Sequence, residues 1–408
     1  MQRHQALSRL DSDADGFPST AELLGRVRPS DHLDYSPYRT PRGDVLAHVP
    51  DGITLRRLDL NEGAPAPDGL RAEWLARLTH DPLHVYPDEH AWELRKVIAR
   101  HVGVADHVGI ANPDDDAPHY VAVGSGSVQL YQQVPLAFRD TSDPPRDTAL
   151  VFSPAYGAYY PVVRSTGMQV LRHRFDGDRL DLAAMPGVAQ ASRAGLVILC
   201  SPNNPTGEVI PNPVIAEVCA ATDGIVMVDE AYGEFGSAGA AALLARFPNL
   251  IVTGTTSKAF SLARLRVGWA VANPMVIDAI SRIQTPWHLS GPAQLAATLA
   301  LDPSLAFSGQ VATNVAAVRA ERDRLARRLR KIPGVESVLG SEGNFVSFST
   351  TFPAGEVWGA LLATHCIQIR DIAAVMGHPR YLRVSVTNNP ADTDSFLQAI
   401  REVLTCPI

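Results

Sequence analysis

A chain of 408 residues, 46% hydrophobic and 19% charged, has material for a large core and a second, smaller domain. A net charge of −7 gives no basis for binding nucleic acid or an anionic membrane, and no apolar run reaches the ~18–20 residues of a membrane span. The N-terminus lacks the apolar core of a signal peptide, and Cys200, Cys219, Cys366 and Cys406 have neither metal nor disulfide spacing, so a reducing cytoplasm is the expected setting.

Residues 1–57 are rich in Asp, Ser, Pro and Arg, with a short helix expected near Ala21–Val27. They read either as an arm lying across a surface, a partner subunit's included, or as a partly disordered tail. Leu58-Asp59-Leu60-Asn61-Glu62-Gly63-Ala64-Pro65 reads as a strand broken by Gly and Pro. Gly63 there makes a plain turn or lets a ligand approach the backbone closely. Amphipathic helices are expected at about Leu70–Leu78 and His90–Val102, with Val85-Tyr86-Pro87-Asp88 between them. The stretch from Asp106 to Pro118 is polar and reads as loop. Val121 to Leu130 reads as strand, Gly-Ser-Gly-Ser turn, then helix, which presents free N–H groups and a positive helix end to an anion.

From there to about residue 272, apolar strands alternate with helical stretches. The strands are expected at Ala149–Phe152, Gln169–Leu171, Leu196–Cys200, Ile225–Val228, Leu250–Thr253 and Val267–Ala272. The alternation predicts an α/β class, a three-layer α/β/α arrangement around a mainly parallel sheet. Ligands of such sheets sit at the carboxyl ends of the strands. There the chain places Tyr156, Asn204, Asp229 with Tyr232, and Thr255 to Lys258. After Leu301 a long Ala/Arg-rich helix (Gly309 to Lys331) precedes strands at Val335–Leu339, Phe345–Ser349, Ile367–Ile369 and Tyr381–Val386, with helices near Glu356–Thr364 and Thr393–Leu404. This reads as a smaller α+β domain. The expected division is an arm (1–57), a large domain (58–302, of which 58–80 are also able to join the small one) and a small domain (303–408).

Lys258 sits among hydroxyl and apolar residues in Thr255-Thr256-Ser257-Lys258-Ala259-Phe260, and Arg266 follows eight positions later. Lost hydration lowers a lysine pKa, and a neutral amine forms a Schiff base with an aldehyde. An arginine fork suits a phosphate. An aldehyde and a phosphate on one small molecule is pyridoxal 5′-phosphate. Around its ring, Asp229 would pair with the pyridine nitrogen, Tyr232 and Asn204 would meet the ring oxygen, and Tyr156 would stack. The turn amides at Ser127 and Val128, with Thr255, Ser257 and Arg266, would hold the phosphate. Taken singly, each residue also has a plain structural reading, such as a helix cap for Asp229 or a core position for Tyr156.

Ser201-Pro202-Asn203-Asn204-Pro205-Thr206-Gly207, Asp229-Glu230-Ala231-Tyr232 and Ser257-Lys258-Ala259-Phe260 with Leu265-Arg266-Val267-Gly268 resemble the signatures of class I/II, fold-type I pyridoxal-phosphate aminotransferases, closest to the histidinol-phosphate branch. The resemblance covers roughly residues 55–405. It implies Lys258 as Schiff base and proton shuttle, and the cofactor roles above for Asp229, Tyr232, Asn204 and Tyr156. It also implies a homodimer with shared active sites, where Tyr86 would reach the partner's cofactor phosphate. Arg383, in Tyr381-Leu382-Arg383-Val384, resembles the arginine that grips the substrate's anionic group, and Arg370 a second substrate arginine. Asn61, Gly63 and Asn344 would line the same pocket. Departures occur at Asn61-Glu62-Gly63, Ser127-Val128-Gln129 and Pro286-Trp287-His288, and a bulky Trp287 at the pocket mouth points to an altered substrate. The expected activity is transfer of an amino group from an α-amino acid to a 2-oxo acid. The alternative is a lyase, decarboxylase, cyclase or oxidase using the same cofactor, since one fold hosts all of these.

Overall fold

The computed structural model describes residues 55–142, 145–237 and 239–405. The helix expected near Ala21–Val27, the rest of the arm up to residue 54, and Cys406 lie outside them.

The chain opens with a two-residue strand, β1 (Arg56–Arg57), and helices α1 (Asp68–Leu78), α2 (Trp92–Val102) and α3 (Val104–Val108). The stretch Asp106 to Pro118 is irregular from Gly109 to Asp116 as expected, while its two ends fall in helix α3 and in a single 3-10 turn at Ala117–Tyr120. Both are too short for apolar periodicity to register, yet they bury Val104, Ala117 and Pro118. Then come β2 (Val121–Ser125), α4 (Ser127–Phe138), β3 (Thr148–Ser153), α5 (Tyr159–Arg164), β4 (Gln169–Arg174), α6 (Met185–Ser192), β5 (Leu196–Cys200) and α7 (Asn212–Ala221). The sheet is completed by β6 (Ile225–Asp229), β7 (Leu250–Thr255) and β8 (Val267–Ala272). Helices α8 (Pro274–Ser281) and α9 (Gly291–Leu301) follow.

These seven strands form one sheet in the order β2-β8-β7-β6-β5-β3-β4. All neighbours pair in parallel except β8, which runs antiparallel to both β7 and β2. Strands β5 to β8 are buried at every position, because both faces are covered. Alternation divides their side chains: Val197, Leu199, Val226 and Val228 enter one core, while Leu196, Ile198, Ile225 and Met227 enter the other. The three-layer, mainly parallel expectation holds.

The C-terminal part begins with the 24-residue helix α10 (Ala306–Leu329). It continues through β9 (Val335–Val338), β10 (Phe345–Thr350), α11 (Ala354–His365), β11 (Ile367–Gln368), β12 (Arg370–Asp371), α12 (Ala373–Met376), β13 (Tyr381–Ser385) and α13 (Pro390–Thr405). An antiparallel sheet forms in the order β12-β13-β10-β9. The single strand expected at Ile367–Ile369 is two: β11 pairs in parallel with β1, and β12 pairs with β13. Ile369, 1% exposed, turns into the core between them. Leu58 extends the β1 pairing by donating its N–H to Gln368 O and accepting from Ser385 N–H. Residues 56–58 therefore belong with the C-terminal sheets, whereas α1 packs on α9.

Candidate active site

A cleft of about 1,290 Å³ lies between the carboxyl ends of β5 to β7 and the segment Trp358–Val375. Lys258 stands in its floor, three residues past the end of β7. Its Nζ donates to Leu60 O at 2.9 Å and Asn61 O at 3.1 Å. Burial pushes its pKa down to about 7, aided by the positive Arg383 and Arg266, while Glu62 and Asp229 pull the other way. Gly63 serves this placement: a Cβ there would fall 2.6 Å from Lys258 O. The close approach that glycine permits here is to the lysine's own backbone, and Gly63 is not among the residues lining the cleft.

Asp229 ends β6 and is 2% exposed. It accepts the Tyr159 O–H, and Oδ1 accepts Ala231 N–H at 3.0 Å. Burial nevertheless raises its pKa; hydrogen bonding from Tyr131, Tyr159 and Ala231 offsets this in part. A buried carboxylate with no cation in contact gains most from a positively charged N–H placed beside it. Tyr156 lines the cleft, its ring edge-on to Tyr159 at 5.5 Å. Tyr131 and Tyr159 escaped the sequence reading because they look like plain core aromatics. The one available signal was the four-residue spacing from Ser127 to Tyr131, one turn of α4, across which the Tyr131 hydroxyl donates to Ser127 Oγ at 2.9 Å.

Tyr232 holds the centre of a polar network. Its hydroxyl accepts from Asn61 Nδ2 at 2.9 Å and Asn204 Nδ2 at 3.3 Å. Burial drives its pKa up to about 12, so the phenol stays neutral. Arg383 Nη1 donates to Asn204 Oδ1 at 2.5 Å and Nη2 to Asp59 O at 2.7 Å. Asn344 stands behind this network, donating to Asn61 O at 3.1 Å without reaching the cleft surface.

The other end of the cleft is an anion pole. Gly126 has φ +74°, a left-handed conformation that glycine tolerates, and turns β2 into α4. A Cβ at Gly126 would sit 2.3 Å from Arg266 Nη2, so a side chain there would displace the guanidinium from the start of α4. Arg266 Nη1 donates to Ser257 Oγ at 3.3 Å and Ala263 O at 3.0 Å, and Thr255 Oγ1 donates to Ser257 Oγ at 2.9 Å. The free amides of a twelve-residue helix, a guanidinium and hydroxyls meet at one point with Ser127 and Val128.

The structure gathers Asn61, Ser127, Val128, Tyr156, Asn204, Asp229, Tyr232, Thr255, Ser257, Lys258, Arg266, Arg370 and Arg383 around this single cleft. It does not bring Tyr86 or Trp287 there. These two stack on each other with ring centroids 4.5 Å apart, and both are exposed, at 74% and 43%. Trp287 therefore does not narrow the mouth of this chain's cleft. Among residues the sequence reading missed, Trp358 and Ile372 to Val375 also form the cleft wall. Arg370 and Arg383 face each other across β12 and β13. Like charges directly opposite in a sheet repel, and an anion between them relieves it.

Residues 58–400 match the family Aminotransferase class I and II. The chain belongs to that family. Its curated relatives include histidinol-phosphate aminotransferases from Frankia casuarinae, 34% identical over 96% of this chain and 92% of the relative, and from Streptomyces avermitilis, 34% identical over 95% and 97%. Among solved structures, the histidinol-phosphate aminotransferase of Sinorhizobium meliloti in complex with pyridoxal-5′-phosphate has the same fold, with TM-score 0.77, 24% identity, and coverage of 92% of this chain and 97% of that one. An aminotransferase from Mycobacterium tuberculosis gives TM-score 0.76 at 23% identity, covering 93% and 99%.

Proposed function

We infer that the cleft holds pyridoxal 5′-phosphate and that the chain moves an amino group from an α-amino acid, or a related amine, to a 2-oxo acid. The observation that carries this reading is a near-neutral lysine amine in one cleft with a buried, cation-seeking carboxylate and an anion pole. Gly126, Ser127, Val128, Thr255, Ser257 and Arg266 would hold the phosphate. Asp229, steadied by Tyr159 and Ala231, would hold the ring nitrogen, and Tyr156 and Tyr232 with Asn204 would bound the ring. When bound, the cofactor supplies an aldehyde for the amine and a protonated ring that draws electrons from the carbon losing its proton. Lys258 Nζ takes the proton from the substrate α-carbon, which a pKa near operating pH favours. The Leu60 and Asn61 carbonyls orient that amine.

Arg383 and Arg370 would receive the substrate's anionic groups, and the repulsion between them makes an anion the natural occupant. The names of the curated relatives make histidinol phosphate the first amine to try. The exposed Tyr86–Trp287 stack, flanked by Leu83 and Val85 at 86% and 57% exposure, is the surface we assign to a second copy of the chain. No helix among the described residues is long and apolar enough to cross a membrane, and cytoplasmic work fits the chemistry.

The test uses purified holoprotein in a half-reaction. With histidinol phosphate or a panel of amino acids and no 2-oxo acid, the cofactor's visible absorbance should bleach once per site and return when 2-oxoglutarate is added. Continuous release of ammonia, pyruvate or carbon dioxide without any oxo acid would overturn the reading in favour of lyase or decarboxylase chemistry.

A further inference from the structure

A second cavity, of about 360 Å³, opens where α10 passes the end of α9 and the turn after Tyr232. That volume falls within the usual range for small-molecule sites, and apolar walls with a few convergent polar groups are their usual makeup. Phe260, Leu301 and Val315 belong to the apolar part. His101, Glu234 and Arg319 supply the polar end.

Arg319 directs Nε and Nη2 to main chain. Its Nε donates to Phe235 O at 3.1 Å, and Nη2 donates to Glu234 O at 3.0 Å and Gly236 O at 2.6 Å. The Glu234 carboxylate is not matched in the same way. Oε1 has only the His101 Nε2 contact at 3.4 Å, and Oε2 is buried with no hydrogen-bond partner among the described residues. An ionised carboxylate can accept several hydrogen bonds, and leaving a buried oxygen without a donor is costly. The cavity therefore combines an apolar body with an under-satisfied negative group.

We propose that this cavity is a second ligand site, taking a compact apolar molecule that carries one cationic N–H donor group, an amidinium or ammonium, against the Glu234 carboxylate. The proposal does not depend on what the catalytic cleft binds. Its position still connects the two sites. Phe260 lies two residues past Lys258 and meets His101 edge-on at 5.4 Å, and Glu234 lies two residues past Tyr232. Helix α10, one wall of the cavity, leads directly into the C-terminal sheet that carries Arg383. Occupancy would brace the catalytic floor against that sheet.

Benzamidine is the probe, because its amidinium does not condense with an aldehyde as a primary amine does, and benzoate is the matched control. Titrated into holoenzyme by calorimetry, benzamidine should bind once per chain, at least ~tenfold more tightly than benzoate. Glu234→Gln should weaken it by about tenfold or more, and Ala316→Trp, a bulky side chain at a lining position of α10, should weaken it as well. Retained cofactor absorbance in each variant reports an intact fold. If Ala316→Trp fails to fold, Glu234→Gln decides alone. The proposal falls if benzamidine shows no saturable binding, if benzoate binds equally well, or if Glu234→Gln changes nothing. It falls equally if binding disappears in Lys258→Ala, which would place the probe in the catalytic cleft.

Discussion

The two walls of the catalytic cleft are built in different ways. The floor hangs from the ends of long, fully buried strands, and its polar groups are already bonded to one another: Asp229 to Tyr159 and Ala231, Arg266 to Ser257, Lys258 to two carbonyls. The opposite wall combines the two-residue strands β11 and β12, Ile372 with the four-residue helix α12, and Arg383 from the buried five-residue strand β13. Its main charged groups, Arg370 and Arg383, stand opposite each other across β12 and β13. A preorganised floor costs nothing to rearrange when charge develops, which suits the invariant chemistry of a cofactor. The edge strand β12 and helix α12 can change side chains with less disturbance than the buried strands under the floor. We therefore assign the reaction to the floor and substrate choice to the wall.

The sharpest way to break that division is Lys258→Ala, which should lower transamination by at least ~10²–10⁴-fold, the usual worth of a placed proton-transfer group. Rescue by added methylamine, measured against the same variant without it, would confirm that the loss is of an amine. Asp229→Ala comes next. Losing a hydrogen bond to a charged group (~1.5–3 kcal/mol) should weaken cofactor retention by about 10- to 100-fold, read by dialysis and visible absorbance. An unchanged cofactor affinity would remove Asp229 from the floor.

On the wall, Arg383→Leu and Arg370→Leu should act on the substrate instead. Each should raise KM by about tenfold or more for an anionic substrate; Arg370→Leu should leave cofactor affinity unchanged, and Arg383→Leu, which also releases Asn204, should lower it by less than Asp229→Ala does. Equal loss of cofactor in either variant would erase the distinction between the walls.

The smallest effects are in pH. Between about pH 7 and the ordinary lysine value of about 10.4, the unfolded chain binds a proton at residue 258 that the folded apoprotein does not. Stability contributed through this group therefore rises with pH across that window, so removing the ionisable amine helps most near pH 7. Apo Lys258→Met should melt above the apo wild type near pH 7, with the gap closing as pH increases. The opposite sign holds for Glu230, whose carboxyl burial pushes up to about 8. There the folded state binds the extra proton, so stability falls as pH rises from about 4.5 to 8, and Glu230→Gln should flatten that decline. Melting curves at several pH values check both.

Much of this molecule was legible from its residues. Strands β5 to β8 announce themselves as apolar runs because both of their faces are covered, and motif tips follow β5, β6 and β7 at the carboxyl end. Lys258, Asp229 and the Gly126 turn come together for that reason, and Arg266 joins them because β8 runs antiparallel and starts at the same edge of the sheet. What sequence left open is everything settled by packing between distant segments. The pairing of β1 with β11 rests on two residues each, too few to carry a pattern. Tyr131 and Tyr159 support Asp229 from helices whose periodicity only said that they are buried. Gly63 yields to the backbone of Lys258, Trp287 stacks on Tyr86 away from the cleft, and Glu234 borders a cavity formed with α10, and none of these contacts has a local signature. Periodicity and motif spacing report what a residue needs from its own element. Only the folded chain decides which other element supplies it.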